Sequence, residues 1–514
     1  MVSESLTKLT WLAGATMTAS LLVVLYKKLL ACPAVNGIPL PPGPPARWFW
    51  DNALPRANIA RTLSDWVSQY GPVISLRQGN HVIIVVGRVD AACDIMEKEG
   101  GALVDRPRSI AAGELLSNGM RILLEGSGER FRRLRKAVHT HLQPKAAETY
   151  QSLQMENARN VILDILDDPK HHQEHAERYA ASVILRVTYG KSTPTANTDP
   201  EVVRIHKVLE HFQLAMRPGA HLIDRIPILK HLPGYGRDLI SWHHEELQLF
   251  REQLNRVKGE MATEEASPSF VKTLIQHGSE HHLSNDEMSY LAGTLFGAGA
   301  DTTAVAITNC IMAAACHPEA QARVQEELDM VVGPNRGTHL FSSPLFEDEE
   351  SLPQLQAFIQ EALRWKPVTP MGFPHRATKD IIWRGQCIPA GATVFGIHLA
   401  IARDPVAFPD AEKFDPQRWL DDEGNLRTDI RFFTFGFGRR VCPGQHVANR
   451  SIFVNLALLL WSFRIAENPR APIDTNAFSD SVISHAAPFD AEFIPRMDRG
   501  ALRSMMEKYG EIRE

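Results

Sequence analysis

The chain has 514 residues, 44% of them hydrophobic and 22% charged, with a formal net charge of −5. That composition is enough for a large core and excludes global disorder, and no basic excess marks a nucleic-acid partner. Cys32, Cys93, Cys310, Cys316, Cys387 and Cys442 are too scattered for a disulfide scaffold and form no CxxC pair, so they read as reduced thiols rather than a zinc site.

In chain order, residues 9–26 are uncharged and near the lower length limit of a membrane-spanning helix. Lys27 and Lys28 follow, against a lone Lys8 before, so the positive-inside rule puts the rest of the chain in the cytosol. A cleaved secretory signal is the competing reading, but its basic residues should precede the apolar run. Leu40-Pro41-Pro42-Gly43-Pro44-Pro45 reads as a stiff extended spacer. The expected division is an anchor over 1–30, a Pro-rich hinge over 31–46 and one catalytic domain over 47–514. Residues 73–76 and 81–86, separated by Gly79-Asn80, read as a hairpin. Beyond them the periodicity predicts helices at 89–98, 129–142, 150–166, 179–189, 201–216, 239–257, 285–316, 318–331 and 352–365, then strands near 381–383 and 393–398. The expected fold class is mainly α with a minor β portion.

The segment Phe435-Gly436-Phe437-Gly438-Arg439-Arg440-Val441-Cys442-Pro443-Gly444 carries the chemistry. It resembles the haem-binding signature FxxGxRxCxG of the cytochrome P450 family. A buried inert cysteine in a glycine-rich turn is the bland alternative, and the patterned neighbours argue against it. The resemblance implies that Cys442 is the axial thiolate of a haem b iron, donating electron density that favours O–O cleavage. Gly438 and Gly444 would let the backbone turn beneath the flat macrocycle, Phe435 would shield the sulfur, and Arg440 would pair with a propionate. Residues 445–463 should then be an apolar helix with the thiolate at its N-terminus.

Three further constellations fit the same family. Glu361-Ala362-Leu363-Arg364 matches its ExxR pair, and Phe414-Asp415-Pro416-Gln417-Arg418-Trp419 its later FxPxRW element; together they imply a structural triad of Glu361, Arg364 and Arg418. Ala298-Gly299-Ala300-Asp301-Thr302-Thr303 is similar to AGxDT. Its nearly uncharged run could also be a second membrane span or an ordinary core helix. The resemblance implies a helix crossing the haem, with Gly299 permitting close approach and Asp301 and Thr302 delivering protons. Phe131-Arg132-Arg133-Leu134-Arg135 matches WxxxR except that Phe131 replaces tryptophan, removing one indole donor. Arg135 and His375 are candidate propionate partners, while Arg132 and Arg133 read as a solvated face or a docking surface for an acidic electron donor.

The order of these motifs and the run around Trp365–His375 resemble fungal microsomal members that act in secondary metabolism. The resemblance implies a cytochrome P450 fold and a monooxygenase at the endoplasmic reticulum membrane, its catalytic domain cytosolic. It would insert one atom of dioxygen into a lipophilic small molecule, with electrons from an NADPH-dependent flavoprotein reductase, because no flavin or nicotinamide module is present. The expected pocket walls are mostly apolar: residues 109–124, Phe296, Ala300, 368–371 and Val482-Ile483. A same-fold isomerase or dehydratase working without dioxygen, and a non-enzymatic haem sensor, are the alternatives; an intact Asp301-Thr302 pair argues against both.

Overall fold

The computed structural model describes residues 34–508 except 47–51, 53, 56, 80, 192–194 and 333–342. The candidate anchor at 9–26, Cys32 and the turn residue Asn80 lie outside the described residues. Among the described residues no helix is long and apolar enough to cross a membrane.

Eight helices frame the body: α1 Glu129–Leu142, α2 Gln151–Asp167, α3 His172–Tyr189, α4 Pro200–Met216, α5 Arg237–Ala262, α6 Asn285–Cys316, α7 Pro353–Trp365 and α8 Gln445–Ser462. The longest, α6, starts where the Ser284 hydroxyl accepts from the Glu287 N–H and the Glu287 carboxylate accepts from the Ser284 N–H. It stops at His317, before Pro318. Its apolar character all round is what a helix needs when α3, α5 and α8 pack against it from several sides. This places it inside the protein and not in a second membrane span.

Close helix packing explains two of its glycines. A Cβ at Gly293 would collide with the Phe250 ring of α5, and one at Gly299 would come within 2.6 Å of Ile184 of α3. Gly299 therefore serves helix–helix contact, which corrects the expectation that it admits the haem. The long helix is also phased differently from expectation. Phe296 and Ala300 have no exposed surface and pack with Tyr189, Phe250 and Leu291, so neither is a pocket wall.

A four-stranded sheet flanks the helices: β1 Val73–Gln78, β2 His81–Val86, β3 His375–Arg376 and β4 Thr393–Gly396, in the order β1-β2-β4-β3. β1 and β2 are antiparallel, β4 joins β2 in parallel, and β3 closes antiparallel on β4. Strand alternation divides the side chains. Ile74, Leu76 and Val85 face the helix Ile59–Tyr70, whereas Val73, Ile84 and Val86 pack with Phe433 and Phe437 of the cysteine loop. The sheet thus carries that loop on one face. The Pro-rich segment is fastened to it as well. The Ser75 N–H donates to the Pro42 carbonyl at 2.9 Å, the Ser75 hydroxyl donates to the Pro41 carbonyl at 2.6 Å, and a Cβ at Gly43 would strike the Ser75 carbonyl. Residues 41–44 are part of the body and not a free spacer.

Other departures have local causes. The 89–98 stretch begins as an α-turn and continues as a π-helix over Ala92–Lys98, a widened winding seen mostly in short pieces. Helix α3 begins at His172, two turns before expectation. Its first turn reads as polar, yet His172 is buried against Phe489 and Phe493.

Gly293→Ala should lower stability by about 1–3 kcal/mol through overpacking. Gly259→Ala, in α5 with nothing within 4 Å of its Cβ position, should instead be neutral or stabilising by about 0.5–1 kcal/mol. Thermal midpoints of the two variants, compared with the unsubstituted chain, test this contrast.

Candidate active site

The cysteine loop is held by its own backbone. The Gly436 N–H donates to the Phe433 carbonyl and the Cys442 N–H to the Phe435 carbonyl, both at 2.9 Å, with Gly436 at φ +83°. Cys442 thereby sits just before α8, where the N–H groups of Gly444 and Gln445 donate to its sulfur. Burial raises the thiol pKa; those two donors and the Arg135 charge oppose the rise. Phe435 is half-buried at this turn, and its carbonyl anchors the cysteine. Gly444 caps α8 at an ordinary φ of −85°, and a Cβ there would lie 3.8 Å from the sulfur. Gly438 turns the chain at φ +50°; its Cβ would come within 3.0 Å of the Met96 carbonyl, and its N–H donates to Glu97 Oε1 at 2.7 Å. It thereby also binds the loop to the Ala92–Lys98 segment.

Beside the thiol lies a cluster of cations. Arg135 of α1 donates to the Val441 carbonyl at 2.5 Å and senses the Cys442 charge. Arg440 donates to the carbonyls of Val104 and Glu125, both at 2.6 Å, and its guanidinium lies 3.5 Å from the Phe131 ring centre. Phe131 thus supplies the stacking face of an aromatic residue while lacking an indole donor. Arg106 donates to the carbonyls of Leu123 and Pro374. Burial and the Arg440 charge push its pKa down to about 9, and burial pushes that of Arg440 to about 10. Burial, with Arg106 and Arg440 nearby, takes His375 down to about 3. Its Nδ1 faces the Leu103 carbonyl at 2.6 Å, so that nitrogen carries the hydrogen. The carboxylates closest to these groups are engaged elsewhere: Asp105 by Arg376, and Glu125 by Arg130. Backbone carbonyls orient the cations; among the described residues none of the four is ion-paired with a carboxylate, although the Asp105 and Glu125 charges act favourably on Arg440.

Glu361 and Arg364 on α7 have no exposed surface. Arg364 binds Glu361 through two nitrogens at 2.7 Å and also donates to the carbonyls of Ala402 and Ala411 at 2.8 Å. Arg418 Nε reaches Glu361 Oε1 at 3.1 Å. The Trp419 indole and the Asp415 N–H complete the shell at 2.9 and 2.8 Å. Every lone pair of the buried carboxylate has work, which a buried ion needs to be tolerated.

On α6, Leu295, Ala298 and Thr302 keep accessible surface at helical spacing, with Thr294 and Gly299 half-buried beside them and Phe296, Gly297, Ala300, Asp301 and Thr303 buried. This stripe is the open face of an otherwise enclosed helix. The Thr302 hydroxyl donates to the Ala298 carbonyl at 2.7 Å, so it presents lone pairs, not a hydrogen, to its surroundings. Asp301 is turned to the other side, with Oδ1 2.6 Å from His485 Nε2. A cleft of about 920 Å³ opens from Asp301 toward the surface. Met371 and Val482 border it as expected, but Glu210, Lys366 and His485 border it too, while Ile483 belongs to the core. Its walls are more apolar than polar, as expected, with these charged groups set among them.

The chain matches the family model described as Cytochrome P450 over residues 41–493. The chain belongs to the cytochrome P450 family. It is 50% identical to cytochrome P450 monooxygenase 64 of Postia placenta over 89% of this chain and 91% of the relative. It is 33% identical to a cytochrome P450 monooxygenase of Armillaria gallica over 98% and 97%, and 32% identical to cytochrome P450 monooxygenase claR of Ampulloclitocybe clavipes over 94% and 91%. This P450 is a haem-thiolate monooxygenase, and its cofactor is haem iron with thiolate ligation. The family draws electrons from a reductase partner and acts on lipophilic substrates. The site fits that cofactor on two counts: a part-buried thiol already receives two N–H donors, and among the described residues the adjoining cations have no carboxylate in ion-pair contact, a place haem carboxylates would take.

Two residues of this P450 were not visible in the motifs. Arg106 lies in Asp105-Arg106-Pro107-Arg108, where only an excess of basic residues hints at a role. His485 directly follows the pocket candidates Val482-Ile483 by two positions, and no pattern links it to Asp301.

Glu361→Ala should cost about 3–5 kcal/mol because it strands the Arg364 and Arg418 charges. A lowered thermal midpoint and reduced haem content in purified protein would show it; an unchanged midpoint would exclude a structural role for the triad.

Proposed function

We propose that Cys442 is the thiolate ligand of the haem, that Arg106, Arg135, Arg440 and His375 hold its carboxylates, and that Asp301 and Thr302 manage protons at the open face of α6. The observation carrying this reading is the meeting of a part-buried thiol that accepts two N–H groups with a cluster of buried and half-buried cations, none of them ion-paired with a carboxylate among the described residues. When bound, haem supplies the redox chemistry that splits dioxygen, one atom going to the substrate and the other to water. The residues supply the surroundings. Gly444 and Gln445 direct N–H groups at the sulfur and favour its charged form. His375, with Nδ1 committed to Leu103, donates through Nε2 only as imidazolium, a state that an adjacent carboxylate favours. Thr302 Oγ1 accepts a hydrogen bond from water or substrate and holds it in place, while Asp301 offers an acid whose second oxygen is buried without a partner.

The substrate is a lipophilic small molecule of fungal secondary metabolism. A mixed cleft suits one that carries some polar groups on an apolar frame. Its electron donor is an NADPH-dependent flavoprotein reductase, which would dock where Arg132, Lys136 and Arg439 are exposed on the side that bears the cysteine loop. Residues 1–30 anchor the protein in the endoplasmic reticulum membrane, and the chain from the Pro-rich segment at 41–44 onward forms the catalytic body in the cytosol. The exposed Leu222, Ile226, Ile228 and Leu232 give this body an apolar surface suited to lie against the same bilayer.

Cys442→Ala should abolish the reduced, carbon-monoxide-bound spectrum of a thiolate-ligated haem; an unchanged spectrum would remove the ligand assignment. Thr302→Ala should retain haem but divert a large part of the reducing equivalents to peroxide, read as product formed per NADPH consumed. Deleting residues 1–30 should move most of the protein into the soluble fraction with haem retained, and undiminished pelleting with membranes would assign attachment to the body instead.

A further inference from the structure

Asp301 has one engaged carboxylate oxygen and one free. Oδ1 lies 2.6 Å from His485 Nε2, whereas Oδ2 is buried with no partner. The other ring nitrogen of His485, Nδ1, lies 3.1 Å from the Ile483 carbonyl. A carbonyl can only accept, so Nδ1 carries a hydrogen. The Asp301–His485 contact then holds a single proton, giving either an imidazolium beside a carboxylate or a neutral acid beside a neutral ring. The Asp301 side chain keeps 8% of its surface open and that of His485 37%, so the pair runs from the interior toward the cleft that both line.

Other ionisable groups face this pair from the neighbouring helices. Glu177 of α3 lies nearest, with Glu174 behind it, and His206 of α4 borders the same cleft. Burial works against the charged ring of His485, but Asp301, the Ile483 carbonyl and Glu177 outweigh it and hold the pKa above the ordinary range. Burial also raises the Glu177 carboxyl, opposed by the two histidines and assisted by Asp301 and Glu174.

We propose that His485 is a positioning residue for monooxygenation, holding in reserve the proton that Asp301 passes inward and linking Asp301 to the water of the cleft. The proposal rests on Asp301 acting as the acid. The proton moves from His485 Nε2 to Asp301 Oδ1, leaving a neutral ring and a carboxylic acid. Rotation of that carboxyl brings the proton to the inner side, where a water held by Thr302 Oγ1 accepts it and passes it on. The remaining carboxylate and neutral ring regain one proton at Nε2 from cleft water or from the Glu177 carboxyl. One proton enters, one leaves, and no electrons move.

The test uses the haem-loaded full chain. Hydrogen–deuterium exchange at the imidazole C2 of each histidine, read by mass spectrometry over about pH 5 to 9, gives the titration midpoint of His485. It should lie above the ordinary value of about 6.5 and fall toward or below it in Asp301→Asn. A raised folded value makes the pair's stabilisation complete below about pH 6.5 and lost as pH rises through that midpoint. The thermal midpoint of the unsubstituted protein should therefore fall across this window relative to His485→Gln. His485→Gln should also lower product per NADPH roughly tenfold, less than the direct loss of a general acid. His485→Arg preserves the ion pair but cannot release a proton, so it should restore the thermal midpoint and not the product yield. A midpoint at or below 6.5, or full yield in His485→Arg, overturns the proposal. Full yield in Asp301→Asn removes the Asp301 reading itself; poor yield there with full yield in His485→Gln removes only the role of His485.

Discussion

The Glu361 carboxylate is the constraint around which the thiol side of this P450 is assembled. It has no contact with solvent, so each of its lone pairs must meet a donor within the protein. The donors come from α7 itself and from Asp415, Arg418 and Trp419, some fifty residues on. Arg364 in turn holds the carbonyls of Ala402 and Ala411. The stretch after β4 is irregular and could not hold a shape through its own backbone pairing. A charge too costly to leave unmatched fixes it to a helix, and the cysteine loop follows within the same stretch. The other support of that loop is apolar, with Phe433 and Phe437 seated on the sheet.

The catalytic centre is electrostatically incomplete as protein alone. Arg106, Arg135, Arg440 and His375 are brought together at the cost of desolvation, which lowers the pKa of each, and Arg106, Arg440 and His375 also feel a neighbouring cation. Such a cluster is tolerated because carbonyls of Leu103, Val104, Leu123, Glu125, Pro374 and Val441 fix every side chain before any anion arrives. Orientation is thus settled by the backbone during folding. At the thiol, burial disfavours the anion, and the two N–H groups at the start of α8 favour it.

How much of this was legible in the sequence depended on whether the signal was local. The limits of α1 and α6 could be read to the residue because both ends of each carry local markers, such as Ser284 with Glu287 at the start of α6 and Pro318 after its end. The cysteine loop and the Glu361–Arg364–Arg418 set were legible because their chemistry requires fixed spacings. The rotational setting of α6 was not. A helix that is apolar on every side has no polar face to fix its phase, so Phe296 and Ala300 could equally have lined the pocket as the core, and Gly299 could have faced haem or Ile184. Arg106 and His485 were hidden for another reason. Pro374, a partner of Arg106, and Asp301, the partner of His485, lie more than a hundred positions away and meet them only in the folded chain, and neither residue sits in a pattern that demands it. The charged groups of the cleft were hidden for the same reason, since Glu210 comes from α4 and Lys366 from the residue after α7.

The fastening of Pro41 and Pro42 to Ser75 has a mechanical consequence. Whatever grips the chain ahead of residue 34 pulls on the outermost strand of the sheet and not on a slack cord. Torque applied at the N-terminus is thus passed to the strands on which the cysteine loop is seated, and the bearing of the whole molecule relative to its attachment is set by a joint only a few residues long.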